Sequence, residues 1–437
     1  MLAHLKFGAQ LLLLGVSAPL LLFPAQLPEA TLAILLVLIA YWSVETFQRC
    51  PWPATVFNGA LLLFLIMVGV GILVSPWPEV TLSKATGIIL GLHLFRWITA
   101  LRKPEFQRLS LYLFIVAVLA IWALGMVSVS WGRKIPLLSD WMALLPPRIY
   151  SLPGAPGSGV SPNQLGGVLA LVLPVFVALT VGGNLRLPAL FHWLVGILTV
   201  ILAATLLLTQ SRSGWGGGLL GILSLLVLGG LSSEKRWPKY GAACLLLAAL
   251  LVPIIILAGV GPVQVGAFLQ ESAHGQLETE LVGTLTLSGR VEIWSRALYA
   301  IQDFAFTGCG LGTFRRVVWI LYPLFTITPS NDISHAHNVF LQMAVDLGLP
   351  GLIAYLALLG TAGFVSWRVA PAGKRERWLA LGILSGLIGY HIYGLTDVLA
   401  LGSRPHFLFW WMLGLLALEG EKSFADESPV SEIGSNY

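Results

Sequence analysis

The sequence has very little charge for its length. Only 10% of its 437 residues are Asp, Glu, Lys or Arg, while 57% are hydrophobic, and the mean hydropathy is +0.85. Soluble domains carry about 25% charged residues. This shortage excludes a soluble globular protein and predicts an integral membrane protein, whose chemistry takes place in loops or between helices.

Cysteine is also scarce, and its positions do not have the spacing of a metal site. Cys50, Cys244 and Cys309 are scattered along the chain and cannot all pair with one another. We therefore expect free structural thiols. The net charge of +5 does not predict a nucleic-acid partner, because membrane proteins place Lys and Arg in cytoplasmic loops to set their topology.

Apolar runs of bilayer-spanning length, about 17 to 25 residues, follow one another along almost the whole chain. Read against Pro, Gly and charged residues, they predict about twelve transmembrane helices. The predicted first residues are Phe7, Pro28, Thr55, Val80, Leu109, Asn163, Pro188, Ser213, Pro238, Asn338, Arg377 and Arg404. We interpret the N-terminal run as the first helix and not as a signal peptide, because no clear small-x-small cleavage site follows it.

The basic residues support one topology. With the N-terminus in the cytoplasm, the main Lys and Arg clusters all fall in that compartment, as the positive-inside rule requires; they lie at 102–108, 235–239 and 368–377. We therefore predict an all-α polytopic protein with a single integral membrane domain over residues 1–420. A polar, disordered cytoplasmic tail is predicted over 421–437.

Two long loops, about 131–162 and 261–337, face outward in this topology, and long loops often carry function. The second contains "SGRVEIWSRALYAIQDF", in which Val291, Trp294, Leu298 and Ile301 recur at helical spacing. This pattern predicts an amphipathic helix that lies against the membrane or the helix bundle.

Two arginines on the outer side stand beside glycine-rich or helix-starting segments. Arg212 lies in "TQSRSGWGGG" at the end of an apolar run, and Arg290 lies in "SGRVEIW" at the start of the amphipathic helix. Arginine offers a fork of donors that matches phosphate oxygens, and a helix N-terminus favours an anion. The alternatives are a snorkelling side chain for Arg212 and an ion pair with Glu292 or Asp303 for Arg290.

The segment "SHAHNVFLQ" places His335, His337 and Asn338 where an apolar helix is about to begin. Histidine is the side chain best suited to accept a proton near neutral pH, and both rings face one way if Ala336 is extended. Two histidines alone are a weak metal signal, so no metal site is predicted. The alternatives are a helix cap at Asn338 and an ordinary hydrogen-bonded histidine.

Two further charged residues are weaker candidates for substrate binding. Asp397 lies near the outer end of the next-to-last long helix, beside His391, and could orient a histidine or bind an arginine. An interfacial polar cluster is the alternative there. Arg296 follows Arg290 in the amphipathic helix, where a solvated charge is the competing interpretation.

Three blocks in order, "LTQSRSGWGGGLLG", "SGRVEIWSRALYAIQDFAFTGCGLGTF" and "SHAHNVFLQMAVDLGLPGLIAYLALL", resemble the O-antigen ligase and polymerase family of polytopic membrane proteins. The resemblance covers about residues 163–397. It implies an inverting, metal-independent glycosyltransferase of the GT-C type, without a cofactor, in the bacterial inner membrane. Its implied partners are the lipid bilayer, a glycan on polyprenyl diphosphate as donor, and a glycan or glycolipid acceptor on the periplasmic face.

The resemblance also implies roles for particular residues. The family's Ser-Arg-x-Gly arginine falls on Arg212, the Gly-Arg-x-x-x-Trp arginine on Arg290, and the His-Asn pair on His337 and Asn338. No Asp-x-Asp pair occurs in the chain, so arginines are expected to stabilise the departing diphosphate. His337 is then the base for the incoming hydroxyl, with His335 as a supporting or acceptor contact.

The sequence leaves the acceptor open. Ligases and polymerases share these motifs, and a related branch with the same motifs has been labelled a bicarbonate transporter. Transport is the weaker hypothesis, because the outer arginines gather at one membrane face and not at the midplane where transporter sites usually lie.

Overall fold

In a computed structural model of the protein, the described residues are 2–47, 53–129, 131, 160–182, 189–247, 287–327, 333–371 and 377–426. They form α-helices and contain no β-strand, only an isolated bridge between Val129 and Val160. The helices are α1 (Leu2–Leu22), α2 (Pro28–Phe47), α3 (Asn58–Leu73), α4 (Pro78–Thr99), α5 (Pro104–Ser128), α6 (Pro162–Val181), α7 (Ala189–Leu208), α8 (Arg212–Leu231), α9 (Leu287–Asp303), α10 (Phe314–Leu321), α11 (Val339–Val369), α12 (Arg377–Tyr393) and α13 (Phe407–Asp426).

The predicted all-α membrane class is confirmed. Seven described helices are long and apolar enough to cross a membrane, namely those over His4–Leu22, Pro28–Glu45, Pro104–Ser128, Pro162–Val181, Ala189–Leu208, Arg212–Leu231 and Val339–Val369. The total of about twelve spans stays a prediction. The span predicted from Pro238 is described only as a helical stretch over 236–247.

The described helices begin close to the predicted positions, because Pro, Gly and charged residues mark these boundaries in the sequence. Most of the predicted outer loop at 131–162 lies outside the described residues. Helix α13 continues past position 421, where the predicted tail starts, to Asp426. Residues 427–437 lie outside the described part of the chain, and the division into one domain and a tail stays a prediction.

Glycines bring α6, α8 and α12 into close contact. A Cβ atom at Gly217 of α8 would lie 2.5 Å from the carbonyl oxygen of Gly389 in α12, and one at Gly389 would lie 2.6 Å from Gly217 O. A Cβ atom at Gly214 would lie 3.1 Å from Cα of Gly166 in α6. Small residues allow membrane helices to approach at backbone distance. This contact fixes the start of α8 beside the end of α12.

A break in α11 anchors the outer layer of the protein to the bundle. Gly348 has φ of +70° and interrupts the helix, a conformation that residues with a Cβ rarely adopt. The segment after α9 docks there: Leu349 N–H donates to Ala305 O, and Cys309 N–H donates to Val345 O, both at 2.7 Å. The outer helices α9 and α10 are thereby held against the membrane-spanning part.

The amphipathic helix predicted in the outer loop is α9, and the face that packs against the protein is not the one with the large apolar residues. Ile293, Ala297 and Ala300 are fully buried, whereas Val291 and Leu298 are 53% and 51% exposed. The prediction counted large apolar residues, and the observed contact uses alanines, whose small size permits close packing. Among the predicted free thiols, Cys309 is buried and Cys244 is exposed, while Cys50 lies outside the described residues.

The glycine contact predicts different effects at two adjacent positions. Gly217→Ala places a methyl group against Gly389 O and should lower the free energy of unfolding by about 1–3 kcal/mol, as overpacking does. Gly216→Ala is the matched control, because a Cβ atom there meets no heavy atom within 4 Å and alanine favours the helix. Thermal unfolding in detergent measures both, and equal midpoints would contradict the close approach.

Candidate active site

The start of α11 is tied to the turn that follows α12. Asn338 caps α11, with its Oδ1 accepting from Phe340 N–H at 3.0 Å and Leu341 N–H at 3.1 Å. Its Nδ2 donates to Leu395 O at 3.1 Å, and Val339 N–H donates to Gly394 O at 2.7 Å. The capping interpretation of Asn338 is therefore confirmed, and its contact with substrate stays a prediction.

This junction brings both histidines against Asp397. His335 Nε2 lies 3.6 Å and His337 Nδ1 lies 3.7 Å from Asp397 Oδ1, and the two ring centroids are 4.3 Å apart. The helix begins only at Val339, so both rings face one way, as the sequence allows for an extended Ala336. His337 has φ of +48°, a left-handed conformation that is uncommon outside glycine.

Gln342, which the sequence reasoning missed, holds the backbone between the histidines. Its Oε1 accepts from Ala336 N–H at 2.7 Å, and its side chain also bonds to Asp346. Asp346 Oδ1 in turn accepts from Gly312 N–H at 3.0 Å. Gln342 and Asp346 are 2% and 1% exposed. The available signal was two polar residues four apart in an apolar run, because buried polar groups need partners.

The hydrogen bonds fix the proton on His335. Its Nδ1 accepts from His337 N–H at 3.3 Å, so a neutral ring carries its proton on Nε2, the atom that faces Asp397. Burial lowers the pKa of His335 from 6.5 to about 3, which keeps the ring neutral. Burial alone raises the pKa of Asp397, but His337, His335 and the Val398 N–H bring it to about 2.

The same three residues are a candidate group of metal ligands. His335, His337 and Asp397 present ligand atoms that all lie within 4.8 Å of one another. The sequence reasoning did not foresee this group, because Asp397 is distant along the chain. The described arrangement fits a metal ion poorly, since a neutral His335 carries a proton on its Asp397-facing nitrogen.

Helix α9 places Arg290 next to this cluster. Trp294, one turn after Arg290, donates from Nε1 to His337 O at 3.3 Å. Burial lowers the pKa of Arg290, Asp397 raises it, and Arg212 lowers it, so these three charges lie close enough to interact. Within the described part of the chain, the buried Nε atom of Arg290 has no hydrogen-bond partner.

Arg212 lies on α8, whose first turns pack against the end of α12. It is the first residue of α8, whose cap is Ser211, with its side chain accepting from Gly214 N–H at 3.2 Å. Two adjacent arginines repel one another unless a negative group lies between them. Arg212 and Arg290 therefore act on one another although they come from distant parts of the sequence, and the role of both in binding substrate stays a prediction.

The carboxylates proposed as ion-pair partners of Arg290 bind elsewhere. Glu292 lies 3.5 Å from Arg296 Nη2 and accepts from Phe325 N–H at 2.6 Å, and Asp303 accepts from Tyr322 O–H at 2.7 Å. The structural alternative for Arg290 is thus not observed among the described residues.

Arg296 and His391 face other surroundings. The Nε atom of Arg296 donates to Pro323 O at 2.7 Å, in the segment after α10, and its substrate contact stays a prediction. His391 lies 2.8 Å from the hydroxyl of Tyr355 through Nε2. Asp397 therefore acts with His335 and His337, not with His391, because it lies beyond the end of α12.

The buried neutral His335 predicts a pH dependence of stability. The pKa of His335 is about 3 in the folded protein and 6.5 ordinarily. Between these two pH values the unfolded chain binds one more proton than the folded protein. Stability then falls as the pH decreases, at roughly 1 kcal/mol per pH unit. Asp397 contributes only below its ordinary pKa of 3.8.

His335→Gln removes this one titrating group and leaves every other histidine in place. The variant should lose less thermal stability than the unchanged protein when the pH is lowered from about 6.5 to about 4.5. Unfolding midpoints in detergent at several pH values measure the difference. Parallel curves for the two proteins would contradict a neutral buried His335.

One comparison with known proteins matches the region that carries this site. The family model described as O-Antigen ligase matches residues 197–356, which include Arg212, Arg290, His335 and His337 but not Asp397. No curated protein matches the chain. The matched domain, together with the apolar helices, identifies a multi-pass membrane protein of polysaccharide biosynthesis with glycosyltransferase-like activity. Residues 197–356 of this chain therefore carry a domain of the O-antigen ligase and polymerase family.

Proposed function

We propose that this protein is an inverting glycosyltransferase of the ligase type, which moves a glycan from polyprenyl diphosphate to a hydroxyl group of the acceptor. The observation that carries the proposal is the approach of His337 to Asp397 at 3.7 Å, beside two arginines whose charges act on one another. A pair of cations beside a histidine–carboxylate pair suits a reaction in which a polyanion leaves and a hydroxyl loses its proton.

Arg212 and Arg290 bind the diphosphate of the donor in this proposal. Their charges lie close enough to repel one another, and Arg290 Nε has no partner among the described residues. A phosphate oxygen supplies both the missing hydrogen-bond acceptor and the missing negative charge. The arginines then stabilise the charge that grows on the diphosphate as it departs.

His337 is the base, and Asp397 orients it. Asp397 Oδ1 faces His337 Nδ1 at 3.7 Å, a separation that tightens to a hydrogen bond when substrate is bound. A proton on Nδ1 directed at the carboxylate leaves Nε2 free to accept the proton of the acceptor hydroxyl. His335, neutral and bonded to the His337 backbone, helps to hold the carboxylate in place.

The proposed reaction is a single displacement at the anomeric carbon. The acceptor oxygen forms a bond to that carbon from one side, while the bond to the phosphate oxygen breaks on the other, which inverts the configuration. The hydroxyl proton passes to His337 Nε2, and the electron pair of the broken bond leaves with the diphosphate. No metal ion takes part, since the arginines supply the positive charge.

The site faces the periplasm in this proposal, with the protein in the bacterial inner membrane. The start of α11 carries the site, while Arg368 lies in the last turn of that helix. Similarly, α12 begins at Arg377 and ends beside the site at Tyr393. Basic residues thus lie at the opposite ends of the helices that carry the site, and basic residues mark the cytoplasmic side.

Substitution of the base or of one arginine tests the mechanism. Arg290→Ala and His337→Ala should each abolish glycan transfer in a deletion strain while the protein remains in the membrane. Arg316→Ala is the matched control, because Arg316 pairs with Glu79 at 2.6 Å at an exposed position. Surface polysaccharide and membrane-fraction immunoblots provide the readout. Normal transfer by both site variants would rule out the mechanism.

The same deletion strain separates ligase from polymerase activity. Loss of a ligase should leave long glycan chains on the polyprenyl carrier, because the chains form but are not transferred. Loss of a polymerase should leave single unextended repeats there. Gel separation of extracted lipid-linked glycans measures the difference, and unextended repeats would assign the protein to the polymerase alternative.

Chelation tests the absence of a metal from the mechanism. Transfer by the purified protein should be unchanged in EDTA, because two arginines replace the metal in this scheme. A loss of activity in EDTA that Mg²⁺ or Mn²⁺ restores would contradict the proposal.

A further inference from the structure

Tyr393 is a buried residue of the site whose hydroxyl group has no partner. It is the last residue of α12 and is 0% exposed. Within the described part of the chain, its hydroxyl oxygen makes no hydrogen bond. A buried polar group without a partner lowers the stability of the folded protein. Its presence therefore suggests a partner that is not part of the described chain.

The ring of Tyr393 is fixed by two glycines. A Cβ atom at Gly167 of α6 would lie 2.4 Å from Tyr393 Cε1, and one at Gly217 of α8 would lie 3.1 Å from Tyr393 Cβ. The side chain therefore fills a slot between α6 and α8 that only glycines leave open. This packing of the ring therefore fixes the position of the hydroxyl oxygen.

The surroundings of Tyr393 are charged. Asp397 and Arg290 both act on its hydroxyl electrostatically, and the backbone carbonyl of Tyr393 accepts from Asp397 N–H at 3.2 Å. Arg290 also has an unpartnered buried nitrogen. A charged donor and a neutral donor that both interact with Asp397 are thus left without a hydrogen-bond partner among the described residues.

Two other buried tyrosines, Tyr390 and Tyr355, behave differently. Tyr390 O–H donates to Leu399 O at 3.0 Å, and the Tyr355 hydroxyl lies 2.8 Å from His391 Nε2. These two phenols are satisfied within the protein. Tyr393 is therefore an exception in its own helix, and it is the phenol that Arg290 and Asp397 approach.

We propose that the Tyr393 hydroxyl donates a hydrogen bond to a phosphate oxygen of the donor's diphosphate, the group that Arg290 binds from the other side. This inference rests on the proposed function and adds a neutral third donor to the two arginines. A diphosphate suits the position because it brings acceptor oxygens and negative charge to two unpartnered donors at once. The hydrogen bond would strengthen as the diphosphate leaves and gains charge.

Tyr393→Phe tests the proposal because it removes only the oxygen atom. The kcat/KM for the lipid-linked donor should fall by about 10- to 100-fold, the value of a hydrogen bond to a charged group. Inhibition by inorganic pyrophosphate should weaken by a similar factor. The unfolding midpoint should stay unchanged or rise, since the variant no longer buries an unsatisfied hydroxyl.

Tyr390→Phe is the matched control on the same helix. It removes a satisfied hydroxyl, leaves Leu399 O without its donor, and should lower the unfolding midpoint while the kcat/KM of the folded protein is retained. The two variants should therefore show opposite patterns of stability and transfer. A purely structural Tyr393 would instead follow the pattern of Tyr390.

Three results would overturn the inference. The first is full transfer by Tyr393→Phe. The second is a fall in its unfolding midpoint like that of Tyr390→Phe. The third is a shifted pH profile with unchanged pyrophosphate inhibition, which would indicate that the hydroxyl group acts on Asp397. Arg290→Ala separates this inference from the proposed function. If that variant is inactive while Tyr393→Phe is fully active, only the role of Tyr393 fails.

Discussion

The junction between the start of α11 and the turn after α12 is the interaction on which the candidate site depends. Two hydrogen bonds, from Val339 N–H to Gly394 O and from Asn338 Nδ2 to Leu395 O, join segments that are remote in sequence. They place Asp397 against both histidines. Without this junction the carboxylate would have no fixed position relative to the imidazoles, and His337 would lack the group that directs its proton.

The residues that hold the helices together are different from the candidate site residues. Close glycine contacts hold α6, α8 and α12 together, and the break at Gly348 receives the segment after α9. These contacts come from backbone atoms and small residues, which allow the helices to approach closely. The candidate site residues lie at the ends of the helices held by these contacts. Arg212 lies at the start of α8, Tyr393 at the end of α12, and Arg290 in the first turn of α9.

Three unsatisfied polar groups lie where the substrate is proposed to bind. Arg290 Nε, His337 Nδ1 and Tyr393 Oη are all buried and without a hydrogen-bond partner among the described residues. The neighbouring polar groups Gln342, Asn338 and Tyr390 are bonded within the protein. A preorganised anion site is expected to contain such groups, which lower the stability of the protein until a substrate supplies the hydrogen-bond acceptor.

The sequence alone determined the membrane class, the approximate helix boundaries and the identity of Arg212, Arg290 and His337 as candidates, because these depend on composition, local punctuation and short motifs. It also predicted the amphipathic helix α9 but not its buried face, since alanine contacts add little to an apolar pattern. Only the tertiary structure decided that Asp397 pairs with the histidines and not with His391, that Gln342 holds Ala336, and that Tyr393 lies unpartnered beside Arg290. Each of these depends on the approach of remote segments, and such distances are set by the packing of whole helices, which no local pattern encodes.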